Sequence, residues 1–296
     1  MLHPEPTDLR PLDAQDVQVW NLYWGDVARR IGPAFARAEA RTCAMAYLSG
    51  LLSPVARKNS WQLAEISGDP NPYRMQHLLG HADWDPDALR DRLRRFVLDH
   101  LADPGAIGVL DETGFLKQGT HSVGVARQYS GTAGRVENCQ IGVFLTDASV
   151  HGHTLLDRER YLPAAWTDDP PRSQRAGVPA DRPSATKPAL ARQLLERNGA
   201  AGVSCAWITG DSVYGDDRPL RQDEPKALAN QVRHVRCMGG VREDQIGVLL
   251  LQMLMRLLPA ARLPCAAALS LVNRAIGVPF RFVETLSTLH QPPRGW

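Results

Sequence analysis

The chain is short of lysine, of paired cysteines and of any long uninterrupted apolar run. Only four of its 34 lysine and arginine side chains are lysine: Lys58, Lys117, Lys187 and Lys226. Arginine contacts phosphate through a planar fork, so the skew would suit a nucleic-acid partner, but codon usage in a GC-rich genome produces it equally well. The five cysteines (Cys43, Cys139, Cys205, Cys237, Cys265) form no CxxC pair and no zinc-ligand rhythm. That argues against a disulfide framework and predicts buried, reduced thiols. The nine histidines are as dispersed. "HGH" puts His151 and His153 on one face of a strand with no further ligand nearby, and reads as a polar strand edge. The greasy stretch over residues 248–272 is broken by Arg256, Pro259, Arg262 and Pro264, short of the roughly 18 apolar residues a membrane span needs. The opening "MLHPEPTDLRPLD" is polar and proline-bearing, unlike a signal peptide. A cytosolic protein with no membrane partner is expected.

What is present suits an ordinary soluble chain. Its 296 residues, 44% hydrophobic and 22% charged, allow one large domain or two modest ones with a real core. The net charge of +2 is uneven: residues 1–220 carry 24 basic and 27 acidic side chains, residues 221–296 carry 10 and 5. Charge alone selects no function.

From Trp20 to about Leu101 the period is helical. "PAFARAEARTCAMAYLSGLLS" repeats apolar residues every three or four positions. "DPDALRDRLRRFVLDHL" opens with Asp85 as an N-cap and Pro86 at the first helical position. A helical N-terminal domain over 1–103 is predicted; by itself it fits packing or dimerisation, and homo-oligomerisation is compatible with it. After Pro104 the period changes. "AIGVLDE" reads as a buried strand, and "HSVGVARQYSGTAGRVENCQIGVFLTDAS" as two strands about a turn at Ser130 to Gly134. "HTLLDRERYLP" is a third, shorter strand. Residues 163–188, with six prolines, read as a surface excursion. "SATKPALARQLLERNGA" is a capped helix, and "VSCAWITGD" a strand that the crossover returns parallel to the first. The class is α+β or α/β: a helical bundle, then a mixed sheet with flanking helices over 104–222.

Two of these strands end alike. "GVLDETGF" and "WITGDSVYG" each run from apolar residues into an aspartate, Asp111 and Asp211, followed by Gly114 and Gly215. If the strands are parallel neighbours, both acids fall at one sheet edge, where open sheets bind ligands. Two carboxylates there repel unless a cation lies between them. A hard, oxygen-seeking ion such as Mg²⁺, or Mn²⁺ in its place, suits that pair. Lys117, His121 and Arg127 follow closely in sequence and are candidate DNA phosphate contacts. A plainer reading makes Asp211 only the N-cap of "SVYGDDRPL".

The stretch "DETGFLKQGTHSVGVARQYSGTAGRVENCQIGVFLTDAS", together with "WITGDSVYGDDRPLR" and the helical "RAEARTCAMAYLSGLLSPVARKNSWQLAEISGD", resembles the transposases of the IS701 insertion-sequence family over roughly residues 15–222. The resemblance implies a ribonuclease-H-like core and DDE-type chemistry. Asp111 and Asp211 would be the first two catalytic acids, holding two Mg²⁺ ions that activate water or a DNA 3′-hydroxyl for in-line attack. It also implies DNA partners, the element's ends and its target, and a bacterial, nucleoid-associated setting.

Past Gln222 the resemblance stops. "DEPKALANQVRHVRCMGGVREDQIG" lacks the family's next strand, and residues 223–296 read as a divergent basic helical tail. Glu224, Glu243 and Glu284 are the glutamates left for a third acid, and none carries the family's context; Glu243 reads as a helix-start acid and Glu284 as a surface acid. A frameshift near codon 222 accounts for the change. The expectation is a transposase core with impaired activity. Alternatives are a non-catalytic DNA-binding regulator of the full-length enzyme and, more remotely, a small-substrate phosphohydrolase, for which the DxD spacing is missing.

Overall fold

The computed structural model describes residues 13–131, 133–222 and 234–237. The chain divides into two compact units, with the break after His100. Glu224, Glu243 and Glu284 lie outside the described residues.

The first unit is helical, as its periodicity predicts. Helices α1 (Ala14–Ile31), α2 (Ala38–Leu52), α3 (Ser60–Ile66), α4 (Tyr73–Gly80) and α5 (Pro86–Leu101) bury Val27, Ile31, Leu51, Leu63, Met75, Phe96 and Val97. Two of these helices, α3 and α5, start on a short polar side chain that caps them. Asn59 accepts from the Trp61 and Gln62 amides at 3.1 Å, and Asp85 accepts from Asp87 and Ala88 at 2.8 and 3.0 Å. Each cap satisfies amides that the first helical turn leaves without partners. Among the described residues no helix is long and apolar enough to cross a membrane.

The second unit is built on one six-stranded sheet. Strand β1 (Ile107–Leu116) is followed by β2 (Ala126–Ser130), β3 (Arg135–Ser149) and β4 (Gly152–Arg160). Short helices α6 (Ala164–Thr167) and α7 (Pro170–Arg175) and the longer α8 (Lys187–Ala200) lead to β5 (Trp207–Gly210). Then come α9 (Ser212–Gly215), α10 (Arg218–Gln222) and β6 (His234–Cys237). The order is β2-β3-β1-β5-β6, with β4 pairing the same edge of β3 that β2 uses. The first four strands are antiparallel to their neighbours, whereas β5 and β6 run parallel to β1. An antiparallel set, β1 to β4, followed by parallel crossovers to β5 and β6 is the mixed sheet expected of a ribonuclease-H-like core. β3 sits in the middle and is buried from Ile141 to Ala148, which explains its near-continuous apolar sequence. One extra residue, Leu156, bulges β4 where the register shifts at Leu145 and Thr146.

Several expectations are corrected here. β1 does not end at its acids but continues to Leu116, paired throughout with β3. Gly114 is inside that strand, not at a turn: a Cβ there would lie 2.6 Å from Ser130 Oγ, so glycine lets β2 close over β1. The proline-rich excursion is partly ordered by α6 and α7, and Trp166 within it is fully buried with its indole N–H donating to the Val125 carbonyl at 2.8 Å. Of the "HGH" pair, His151 lies exposed in the turn and only His153 enters β4, where it is buried. The strand judged missing after "DDRPLR" is present as β6, pairing with β5. Cys43, Cys139 and Cys205 are buried free thiols, as expected.

An ion-pair cluster around the buried Asp157 ties α8 to the sheet. Arg197 grips Asp157 on β4 with Nε and Nη2 at 2.8 and 2.9 Å, and Glu159 with Nη1 at 2.9 Å. Asn198 Nδ2 adds a bond to Asp157 at 2.7 Å. Burial works against the Arg197 charge, but hydrogen bonding and charge from Asp157 and then Glu159 outweigh it and raise its pKa.

Candidate active site

Strand register sets Asp111 and Asp211 at one end of a strand pair. β1 and β5 pair in parallel up to Leu110 opposite Gly210; Asp111 is the next residue of β1, and Asp211 follows the last residue of β5. Side chains alternate along a strand, so on β1 Val109, Asp111 and Thr113 share one face while Leu110 and Glu112 point to the other. Asp211, past the end of its strand, feels the charge of Glu112.

Each aspartate is held by backbone amides. Asp111 is buried, and its Oδ1 accepts from the Glu112 amide at 2.8 Å. Asp211 is the N-cap of α9, its Oδ1 accepting from the Val213 amide at 2.9 Å. The N-cap reading and the active-site reading of Asp211 are therefore compatible: the single turn of helix aims the carboxylate. Burial, and next the charge of Glu112, push the Asp211 carboxyl above the usual aspartate range, against the lowering effect of the Val213 and Tyr214 amides and of Lys187. A carboxyl so placed favours a cation beside it.

The donor set fits a hard divalent cation. Asp111 lies on β1 and Asp211 just past the end of β5, and the Thr209 hydroxyl, two residues before Asp211, is buried with no hydrogen-bond partner among the described residues. Oxygen donors of this kind suit Mg²⁺ or Mn²⁺ better than softer metals. Among the described residues, however, no group of three or more Asp, Glu, His or Cys side chains is arranged to hold a metal.

Lys117, His121 and Arg127 are all exposed. Lys117 follows the last residue of β1, six positions from Asp111, which in extended chain is roughly 20 Å. Its amide donates to the Asn138 carbonyl at 2.9 Å, and Arg127 pairs with Asn138 across β2 and β3. Lys117 and Arg127 therefore share the far end of the β-hairpin, away from the acids.

Sequence reasoning missed the groups beneath the acids. Glu112, on the opposite face of β1, accepts from Lys187 Nζ through Oε1 and from the Tyr214 hydroxyl through Oε2, each at 2.5 Å. Their partners stand 75 and 102 residues away, too far for any local pattern to reveal. The one available hint was compositional, since Lys187 is one of four lysines in the chain.

Comparisons with known proteins place the chain in a family. A family described as DDE superfamily endonuclease matches residues 30–243, a span that takes in β6. A protein of Microchaete diplosiphon described as "Probable transposase for insertion sequence element IS701" is 29% identical over 167 residues, covering 56% of this chain and 41% of that relative. The chain thus spans about two-fifths of the length of the relative it matches. With the family match extending over most of its length, the chain belongs to the DDE superfamily endonuclease family.

Proposed function

We propose that the chain is an insertion-sequence transposase of the DDE type, acting on DNA in the cytoplasm, with Asp111 and Asp211 as the residues that hold a divalent cation. The observation that carries the reading is the pairing of Leu110 with Gly210, each followed by one of the two acids. When bound, Mg²⁺ or Mn²⁺ supplies Lewis-acid charge at a phosphodiester and lowers the pKa of a coordinated water. The chain's own part is to present two carboxylates of fixed orientation, held by the Glu112 and Val213 amides, in a largely buried setting where charge is poorly screened. Lys117, exposed about 20 Å along the strand, and the exposed His121 and Arg127 suit backbone phosphates away from the scissile one.

The reading includes weak turnover. No glutamate after residue 222 stands in the context of the IS701 family, and two carboxylates fix a cation less firmly and balance less of its charge than three. The test incubates the full chain with Mg²⁺ or Mn²⁺ and DNA carrying the element's ends. Salt-sensitive binding with slow nicking, abolished by Asp111→Asn, is expected. Nicking that survives Asp111→Asn refutes the site, and fast wild-type cleavage refutes the impairment. Binding to the ends without nicking at any metal concentration identifies a regulator instead.

A further inference from the structure

The paired acids of "DET" leave one of them unexplained, because strand alternation sends Glu112 away from Asp111. We propose that Glu112 is a positioning residue: its carboxylate ties α8 and α9 to β1 and thereby holds Asp211 beside Asp111. The inference rests on the two-aspartate reading above and deepens it.

Both oxygens of Glu112 are committed, one to Lys187 and one to Tyr214, at 2.5 Å each. Lys187 is the first residue of α8, next to the N-cap Thr186. A cation in the first turn opposes the helix dipole, and its pairing with Glu112 gives it a reason to be there. Tyr214 is buried to 1% exposure, and its hydroxyl has Glu112 as its acceptor.

The link to Asp211 runs through α9. This helix is a single turn of four residues, too short to hold its own geometry in water. Its amides cap onto Asp211: Val213 N donates to Oδ1 at 2.9 Å, and Tyr214 N to the main-chain oxygen at 3.2 Å. Wherever the Tyr214 ring is held, the Asp211 carboxylate follows. Glu112 holds that ring from a strand position one peptide bond from Asp111, and its own amide donates to Asp111 at 2.8 Å. One residue therefore orients both acids, Asp111 through its main chain and Asp211 through its side chain. Burial and the nearby negative charges of Glu112, Asp111 and Asp211 all raise the Tyr214 pKa, so the phenol stays a neutral donor at every ordinary pH.

The experiment is Mn²⁺ binding to the full chain by electron paramagnetic resonance, with far-UV circular dichroism and thermal unfolding on the same samples. Tyr214→Phe keeps the ring and loses one hydroxyl, so it tests positioning even where Glu112→Gln folds poorly. Partners that orient a metal ligand are worth 10- to 100-fold in metal affinity; about a tenfold weakening is expected for each variant, with the dichroism unchanged. The double variant should bind no more weakly than the worse single, because both changes cut one linkage. Affinities of both single variants within twofold of wild type, while Asp111→Asn abolishes binding, overturn the positioning role and leave the aspartate site standing. A double variant that loses the product of the two single losses also overturns it, as does weakening that only tracks lost helical signal. Equal Mn²⁺ binding by wild type and Asp111→Asn removes the aspartate site itself, and the positioning role with it.

Discussion

Asp147 offers the sharpest physical test of the sheet. It lies on β3, opposite Gly108 of β1 on one side and Thr154 of β4 on the other, and is buried to 7% exposure. Burial, reinforced by the charge of Asp103, pushes its carboxyl up to about 7. In the unfolded chain an aspartate titrates near 3.9. Between those values the folded protein holds a proton that the unfolded chain has released. Stability therefore falls as pH rises from about 4 to about 7 and levels off above. The gap of about three units corresponds to roughly 4 kcal/mol at pH 8, as an upper bound. Asp147→Asn replaces the carboxyl with a neutral group of the same shape and removes that loss. Urea unfolding of wild type and variant at pH 4.5 and pH 8 should show near-equal stability in acid and a variant more stable by a few kcal/mol in base, with the other titrations cancelling in the difference. A second reading comes from Cys205, whose thiol is pushed up to about 11 by burial and then by the Asp147 charge. Its alkylation should speed up at a given alkaline pH once Asp147 is neutral. A variant-to-wild-type difference that does not change with pH, or a variant less stable at pH 8, refutes the argument.

Two further outcomes follow from the packing. Arg197→Met leaves the buried Asp157 carboxylate without its guanidinium, and should cost about 3 kcal/mol in urea unfolding at neutral pH; a loss below about 1 kcal/mol would mean that water replaces the pair. Gly210→Ala would place a Cβ 3.0 Å from Tyr214 Cβ and 3.3 Å from the Leu110 carbonyl, so α9 must shift. Mn²⁺ affinity should drop several-fold in that variant for about 1 kcal/mol of stability, and unchanged affinity would show that the register tolerates the displacement.

Much of this protein was legible from its residues. The helical period up to Leu101, the Asp85 cap, the hairpin around Ser130 to Gly134, the Thr186-capped helix and the parallel return of β5 all follow from local pattern, because capping, turn chemistry and apolar spacing act over a few residues. The matched aspartates were also visible, since each follows a strand's apolar run. Other features were not. β1 runs past its acids because β3 pairs with it residue for residue to Leu116, and β6 forms because β5 offers an open parallel edge, which no propensity of "HVRC" announces.

The sequence by itself determined that two acids end apolar runs a hundred positions apart, that the chain alternates helical and extended periods, and that a known family shares those motifs. Only the tertiary structure decided that the residues before the two acids, Leu110 and Gly210, pair across parallel strands, and that Lys187 and Tyr214 converge on Glu112. The reason is range: side-chain period is written in neighbours along the chain, whereas register and burial are settled by strands and helices that meet only after folding.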